Sequence, residues 1–246
     1  GKMVEYSILT DTGKVRNHNE DSVIVAKNMN GEYLMVVCDG MGGHTNGEVA
    51  SSIATEFIKN RFSEISSVGN KQDAINFLKD LVSEANVKIY KYTLEHPESV
   101  GMGTTLVLVL VTKEFLLFGN IGDSSGFVYK NKKLHKITVD HTLVNLLLRS
   151  GRITEKEALE HPKKNVLLKA LGAQNSIEMD IFDVERDVDG VLLCSDGLTN
   201  LLDNDHIARV ITSTENVEDI TRKLIVKCNN RGGNDNITVA YMRMVK

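Results

Sequence analysis

Carboxylates recur in this chain at the ends of apolar runs, where packing alone has little use for them. Leu34-Met35-Val36-Val37-Cys38 runs into Asp39-Gly40-Met41-Gly42-Gly43, Phe115 to Ile121 stops just short of Gly122-Asp123-Ser124, and Val191-Leu192-Leu193-Cys194 leads through Ser195 to Asp196-Gly197. Asn19-Glu20-Asp21 and Gly233-Asn234-Asp235-Asn236 complete the set. A buried strand that ends in an acid delivers a carboxylate to one end of a sheet. Oxygen-only donors suit hard divalent cations such as Mg²⁺ or Mn²⁺, whereas a structural zinc site calls for closely spaced Cys or His, which the chain does not supply. If Asp21, Asp39, Asp196 and Asp235 converge, they repel and raise one another's pKa values unless more than one cation neutralises them. Two ions about 3.5–4 Å apart can share a water, bring its pKa towards neutrality and align it for in-line attack on phosphorus. Arg16, a few residues before Glu20, offers a planar fork for phosphate oxygens. Phosphoester hydrolysis is the chemistry that fits these residues.

Short strands must position them. Val4 to Asp11, Ser22 to Asn28 and Tyr33 to Asp39 read as strands, the last two forming a hairpin around Asn28-Met29-Asn30-Gly31. Val49, Ala50, Ile53, Ala54, Phe57 and Ile58 repeat at helical spacing, as do Ala74, Leu78, Leu81, Val82, Ala85 and Ile89. Strands follow at Thr104 to Val111, Phe115 to Asn120, Gly126 to Lys130 and Leu134 to Thr138, joined by turns too short for parallel crossovers, so much of the sheet is antiparallel. Residues 142 to 171 read as helical, with a capping box at Thr154-Glu155-Lys156-Glu157. Strands at Ile177 to Val184 and Val191 to Cys194, helices near Asp205 to Ile211 and Val217 to Asn229, and a strand from Ile237 to Met242 complete the pass. No repeat or linker divides the 246 residues, and the simplest assembly is one layered domain with helices outside antiparallel sheets.

Composition narrows the class. With 41% hydrophobic residues the chain can bury a sizeable core. A net charge of -4 with dispersed Lys and Arg argues against a nucleic-acid partner, and no run approaches the ~20 apolar residues of a membrane span. Neither a signal peptide nor membrane insertion is expected, and Gly1-Lys2 ahead of Met3 are given no function. Cys38, Cys194 and Cys228 stand far apart and suggest core packing in a reducing cytoplasm.

Single signals have ordinary readings, since Asp-Gly pairs are commonly turns and His44 or His161 are ordinary structural residues. A serine-hydrolase reading of Gly122-Asp123-Ser124-Ser125-Gly126 fails locally, because that elbow must enter a helix and Phe127-Val128-Tyr129 reads as a strand. No cysteine has Arg six positions later, which removes the cysteine-dependent phosphatases. A binding-only pseudoenzyme should have lost an acid from the core set, and none is missing. A metal-dependent hydrolase of small phosphoesters or nucleotides remains the nearest alternative.

Taken in order, Arg16-Asn17-His18-Asn19-Glu20-Asp21-Ser22, Asp39-Gly40-Met41-Gly42-Gly43-His44 with Gly47-Glu48-Val49-Ala50-Ser51, Gly101-Met102-Gly103-Thr104-Thr105, Gly122-Asp123-Ser124, Asp140-His141, His161-Pro162 with Asn165, Leu171-Gly172, Ser195-Asp196-Gly197-Leu198-Thr199 and Asn234-Asp235-Asn236 resemble the motifs of bacterial type 2C protein phosphatases. These are the PPM family of metal-dependent Ser/Thr phosphatases, and the resemblance covers essentially the whole chain. It implies an α+β fold, a four-layer αββα sandwich of two antiparallel sheets flanked by helices. It further implies a single domain over 1–246 and a flap at about 143–175.

By the same resemblance, Asp39 bridges two cations, Mn²⁺ or Mg²⁺, with Asp196 and Asp235 on the first and Glu20 and the Gly40 carbonyl near the second. Asp123 with Asp196 matches a looser third site, Asp21 lies in the adjoining carboxylate cluster and belongs to the metal site through bound water, and Arg16 holds the substrate phosphate. The implied substrates are phosphoserine and phosphothreonine proteins, including those of a cognate Ser/Thr kinase. Three positions depart from common family patterns. Met41 stands where eukaryotic relatives often carry a proposed general-acid His, Ser125-Gly126 follows Gly-Asp-Ser where many carry Arg, and Asn200 stands where some carry Asp.

Overall fold

In the computed structural model, which describes residues 4–44 and 46–245, two antiparallel sheets pack face to face between helices. Gly1 and Lys2 lie outside the described residues. One sheet has the order β1 (Val4–Asp11), β11 (Ile237–Met244), β10 (Gly190–Cys194), β7 (Ser125–Lys130), β8 (Lys133–Lys136). The other runs β2 (Asp21–Lys27), β3 (Tyr33–Met41), β5 (Leu106–Val111), β6 (Leu116–Ile121), β9 (Asp180–Val184), with β4 (Gly103–Thr104) paired to the end of β3. Helices α1 (Asn46–Glu64) and α2 (Lys71–Glu95) cover the second sheet; α6 (Asn204–Ser213) and α7 (Val217–Asn230) cover the first.

Alternation along the strands builds these layers. Leu34, Val36 and Cys38 of β3 face α1 and α2, as do Leu106, Leu108 and Leu110 of β5, while Met35, Val37, Val107 and Val109 pack between the sheets. In β10, Leu192 and Cys194 face α6 and α7 while Val191 and Leu193 enter the inter-sheet layer. A side-chain period of two thus serves both faces of a strand buried on both sides. Asp39 has the parity of Met35 and Val37, so it leaves β3 at the end of the inter-sheet layer.

Three expectations from the sequence are corrected. The strand expected over Thr104 to Val111 is interrupted at Thr105, because the Thr105 backbone and hydroxyl both bond to the Asp39 backbone. Residues 142–171 contain only two short helices, α3 (Leu143–Arg149) and α4 (Glu155–Glu160), the latter with the expected Thr154–Glu157 capping box. Residues 177–179 precede β9 rather than belonging to it. The sequence also gave no sign of α5 (Asp196–Thr199), a single turn that begins at a candidate ligand. Among the described residues no helix is long and apolar enough to cross a membrane.

Candidate metal and phosphate site

The antiparallel β2–β3 ladder sets Asp21 directly opposite Asp39. Asp21 is buried, and its Oδ2 accepts from Ser195 Oγ at 2.8 Å and Thr238 Oγ1 at 2.6 Å, both on the other sheet. Asp39 is held by its backbone, its N–H donating to Thr105 Oγ1 at 2.9 Å and its carbonyl accepting the Thr105 N–H at 2.9 Å. Its carboxyl stands close to those of Asp21 and Asp196, whose charges, after burial, disfavour its ionisation. Strand tips from the two sheets therefore bring three carboxyls into one network.

Close backbone approach brings the remaining groups in. A Cβ at Gly40 would lie 1.8 Å from the Gly47 carbonyl oxygen, and one at Gly47 would lie 1.9 Å from Glu20 Oε2, so the start of α1 presses Glu20 against the end of β3 at Gly40. A Cβ at Gly197 would meet the Asn236 carbonyl oxygen at 1.9 Å, which sets the Asp196 turn against the Asp235-Asn236 loop. Asn236 Oδ1 accepts the Glu20 N–H at 2.9 Å while its Nδ2 donates to the carbonyls of Thr12 and His18. Arg16 Nε lies 3.5 Å from Asp235 Oδ1 with its side chain 53% exposed, open to solvent on the rim.

Arg16, Glu20, Asp39, Gly40, Asp123, Asp196 and Asp235 all line one cleft of about 640 Å³, with Asp21 buried behind it. A second cavity of about 620 Å³ shares Asp123, Asp196 and Asp235 and extends beneath α3 and α4 past Val144 and Ala158. Burial is the leading cause of a raised carboxyl pKa throughout. Asp39 is driven well above the usual carboxylate range by burial and then by Asp21 and Asp196. Asp123 is pushed up to about 8 by burial and then by the charges of Asp196 and Asp140. Asp21 is raised to about 6 by burial, which the hydrogen bonds from Thr238 and Ser195 oppose. Burial also raises Asp196 and Glu20, offset by Asp39's hydrogen bond to the former and the Arg16 charge on the latter.

These residues fit divalent cations. Glu20 Oε2, Asp21 Oδ1 and Asp196 Oδ1 are buried with no hydrogen-bond partner among the described residues, an arrangement that costs free energy unless something else satisfies them. The donors are oxygens only, as Mn²⁺ or Mg²⁺ requires. Among the described residues no three acidic, His or Cys side chains already form a finished ligand cage.

Other candidates fall away from the cleft. His44 is exposed with φ 56, His161 Nδ1 accepts the Lys163 N–H, and no histidine is among the residues described as lining the cleft. Ser124 Oγ is buried against Thr105 and β7 follows it, so no serine nucleophile is presented. Cys38, Cys194 and Cys228 are free, buried thiols. Sequence reasoning missed Ser195 and Thr238 as the groups that hold Asp21. The one visible trace was a pair of hydroxyl residues breaking otherwise apolar stretches.

A family model described as Protein phosphatase 2C matches residues 13–229. The chain is 38% identical over 231 residues to the Serine/threonine phosphatase stp of Listeria welshimeri, covering 94% of this chain and 92% of that one. The crystal structure of Serine/threonine phosphatase Stp1 from Staphylococcus aureus superposes with a TM-score of 0.94 at 35% identity, covering 100% of this chain and 97% of that one. The catalytic domain of the serine/threonine protein phosphatase PstP, in complex with two manganese ions, superposes with a TM-score of 0.86 at 31% identity and 99% coverage of both chains.

Proposed function

The chain belongs to the protein phosphatase 2C family, and from that premise we infer that it hydrolyses phosphoserine and phosphothreonine in proteins. It is a protein phosphatase that uses Mn²⁺ or Mg²⁺ at a two-metal site. The observation that carries this reading is the convergence of acidic strand tips from both sheets on one cleft, with an exposed arginine on its rim.

The residues that would hold the cations are Glu20, Asp39, the Gly40 carbonyl, Asp196 and Asp235, with Asp123 and Asp196 serving a third site. Bound there, the cations would neutralise the crowded carboxylates and would supply an acidified water for attack on phosphorus. Arg16 takes the phosphate oxygens, its exposed guanidinium exchanging or sharing Asp235 for substrate. Asp21, clamped by Ser195 and Thr238, fixes Asp39 from behind. With Met41 at the cleft wall and no histidine among the described residues that line it, the leaving oxygen takes its proton from solvent.

In this reading residues 1–246 act as one catalytic domain, the segment at about 143–175 is a flap over the second cavity, and the protein works in the cytoplasm. Its substrates include those of a cognate Ser/Thr kinase. Comparing turnover of a phosphothreonine peptide with that of nucleotides and small aryl phosphates tests the substrate class. Preference for the peptide supports a protein phosphatase; turnover confined to small esters rejects it.

A further inference from the structure

At the neck of the flap, His141 joins the loop to the sheet. His141 precedes α3, and its carbonyl accepts the Leu168 N–H at 2.9 Å; beside it the Leu143 N–H donates to the Val166 carbonyl at 3.0 Å, and Thr142 bridges to Leu167. These contacts close residues 144–165 into a loop with a two-stranded neck. The His141 side chain turns the other way, into the sheet. Its Nδ1 accepts the Gly122 N–H at 2.9 Å, while the His141 backbone N–H donates to the Gly122 carbonyl at 2.9 Å. An Nδ1 that accepts leaves the ring proton on Nε2, which donates to Asp180 Oδ2 at 2.7 Å.

The surrounding register makes this a junction. Gly122, at φ +104, follows β6 and directly precedes Asp123, which lines both cavities. Asp180 begins β9 and is paired with Asn120 in the β6–β9 ladder. Asn120 Nδ2 donates to the carbonyls of Gly122 and Val139, closing the ring of contacts from the other side. A Cβ at Gly122 would lie 2.8 Å from Thr105 Cγ2, so this backbone has little freedom to shift once the imidazole holds it. The Nε2-protonated ring bonds along both of its nitrogens at once, which no aliphatic side chain can do.

We propose that His141 is a positioning residue that locks the Gly122-Asp123 turn to the neck of the flap, its imidazole fixing the residue against Gly122 and Asp180 so that its backbone carbonyl holds Leu168 at that neck. It acts through Gly122, Asp180 and Leu168 and touches no substrate. The kinetic part of this proposal rests on the phosphatase reading above; the structural part does not.

Residue-resolved amide hydrogen exchange tests it. In His141→Ala the amides of Gly122 and Leu168 should both lose protection while those of β10 and β11 keep theirs. With a phosphothreonine peptide, kcat should fall and KM rise together, lowering kcat/KM by about 10–100-fold, the range for loss of a supporting partner. His141→Asn, whose Oδ1 can replace Nδ1 before the Gly122 amide, should restore protection at Gly122 and recover kcat. Asp180→Ala, at a side chain 44% exposed and so tolerant of truncation, should loosen both amides in the same sense. Full protection at Leu168 in both alanine variants, or loss of protection spread evenly through β10 and β11, overturns the proposal. If the wild-type protein releases no phosphate, the phosphatase reading is what fails, and the exchange pattern alone decides the role of His141.

Discussion

Asp21 and Asp39 stand directly opposite each other across the β2–β3 ladder, and only one of them reaches the cleft. Acids paired this way repel, and here the buried partner is clamped by Ser195 and Thr238 from the facing sheet. The pair thus ties the two sheets together at the end where the other acids gather. Its repulsion is a cost to the metal-free fold that cations remove.

Asp39→Asn should lower phosphatase turnover roughly 10²–10³-fold, the range for losing one preorganised electrostatic group. The same change should raise the melting temperature of metal-free protein, because it removes an acid whose ionisation is opposed first by burial and then by Asp21, Asp196 and Asp235. Calorimetry in a chelator beside a turnover assay separates the two effects.

Metal-free protein should lose stability as pH rises from about 4 to about 8. Asp21 and Asp123 have an ordinary pKa of 3.8, raised in the fold to about 6 and about 8. Across that interval the folded state binds more protons than the unfolded one, so each rise in pH favours unfolding. Added Mn²⁺ should restore stability more at pH 8 than at pH 5, which thermal denaturation across pH will reveal.

Thr238→Val keeps the shape of the side chain but removes a 2.6 Å donor from buried Asp21. A loss of about 1–3 kcal/mol is expected from leaving that acceptor under-satisfied. Urea denaturation should show it as a lower midpoint with the slope unchanged.

Gly197→Ala should be damaging although no unusual φ is involved. The new methyl would meet the Asn236 carbonyl oxygen at 1.9 Å, and backbone must part to admit it. The expected cost is about 1–3 kcal/mol of stability, with turnover lowered because Asp196 and Asp235 move apart.

Arg16→Ala should leave stability almost untouched, since an exposed ion pair at 3.5 Å contributes about 0–1 kcal/mol. Steady-state kinetics should show a raised KM for the phosphopeptide, and an unchanged KM would remove Arg16 from phosphate binding.

What the sequence could reveal was local. Asp39 and Asp196 stood out because each follows an apolar run and precedes a glycine, and the β2–β3 hairpin followed from a turn between two such runs. The partners that hold Asp21 were hidden, because Thr238 lies 217 residues away and is brought in only by the register of two sheets. The interruption at Thr105 arises from its bonds to Asp39, so the strand pattern of its own segment could not announce it. His141 showed a motif but no role, since its contacts at Gly122, Asp180 and Leu168 come from three separate segments.

The most direct test of the account is phosphate release from a phosphothreonine peptide across a Mn²⁺ titration, starting from metal-stripped protein. Release that is absent without metal and rises saturably with it is the predicted result. Folded protein that releases no phosphate at any Mn²⁺ concentration, or releases it equally in chelator, would contradict a metal-dependent protein phosphatase.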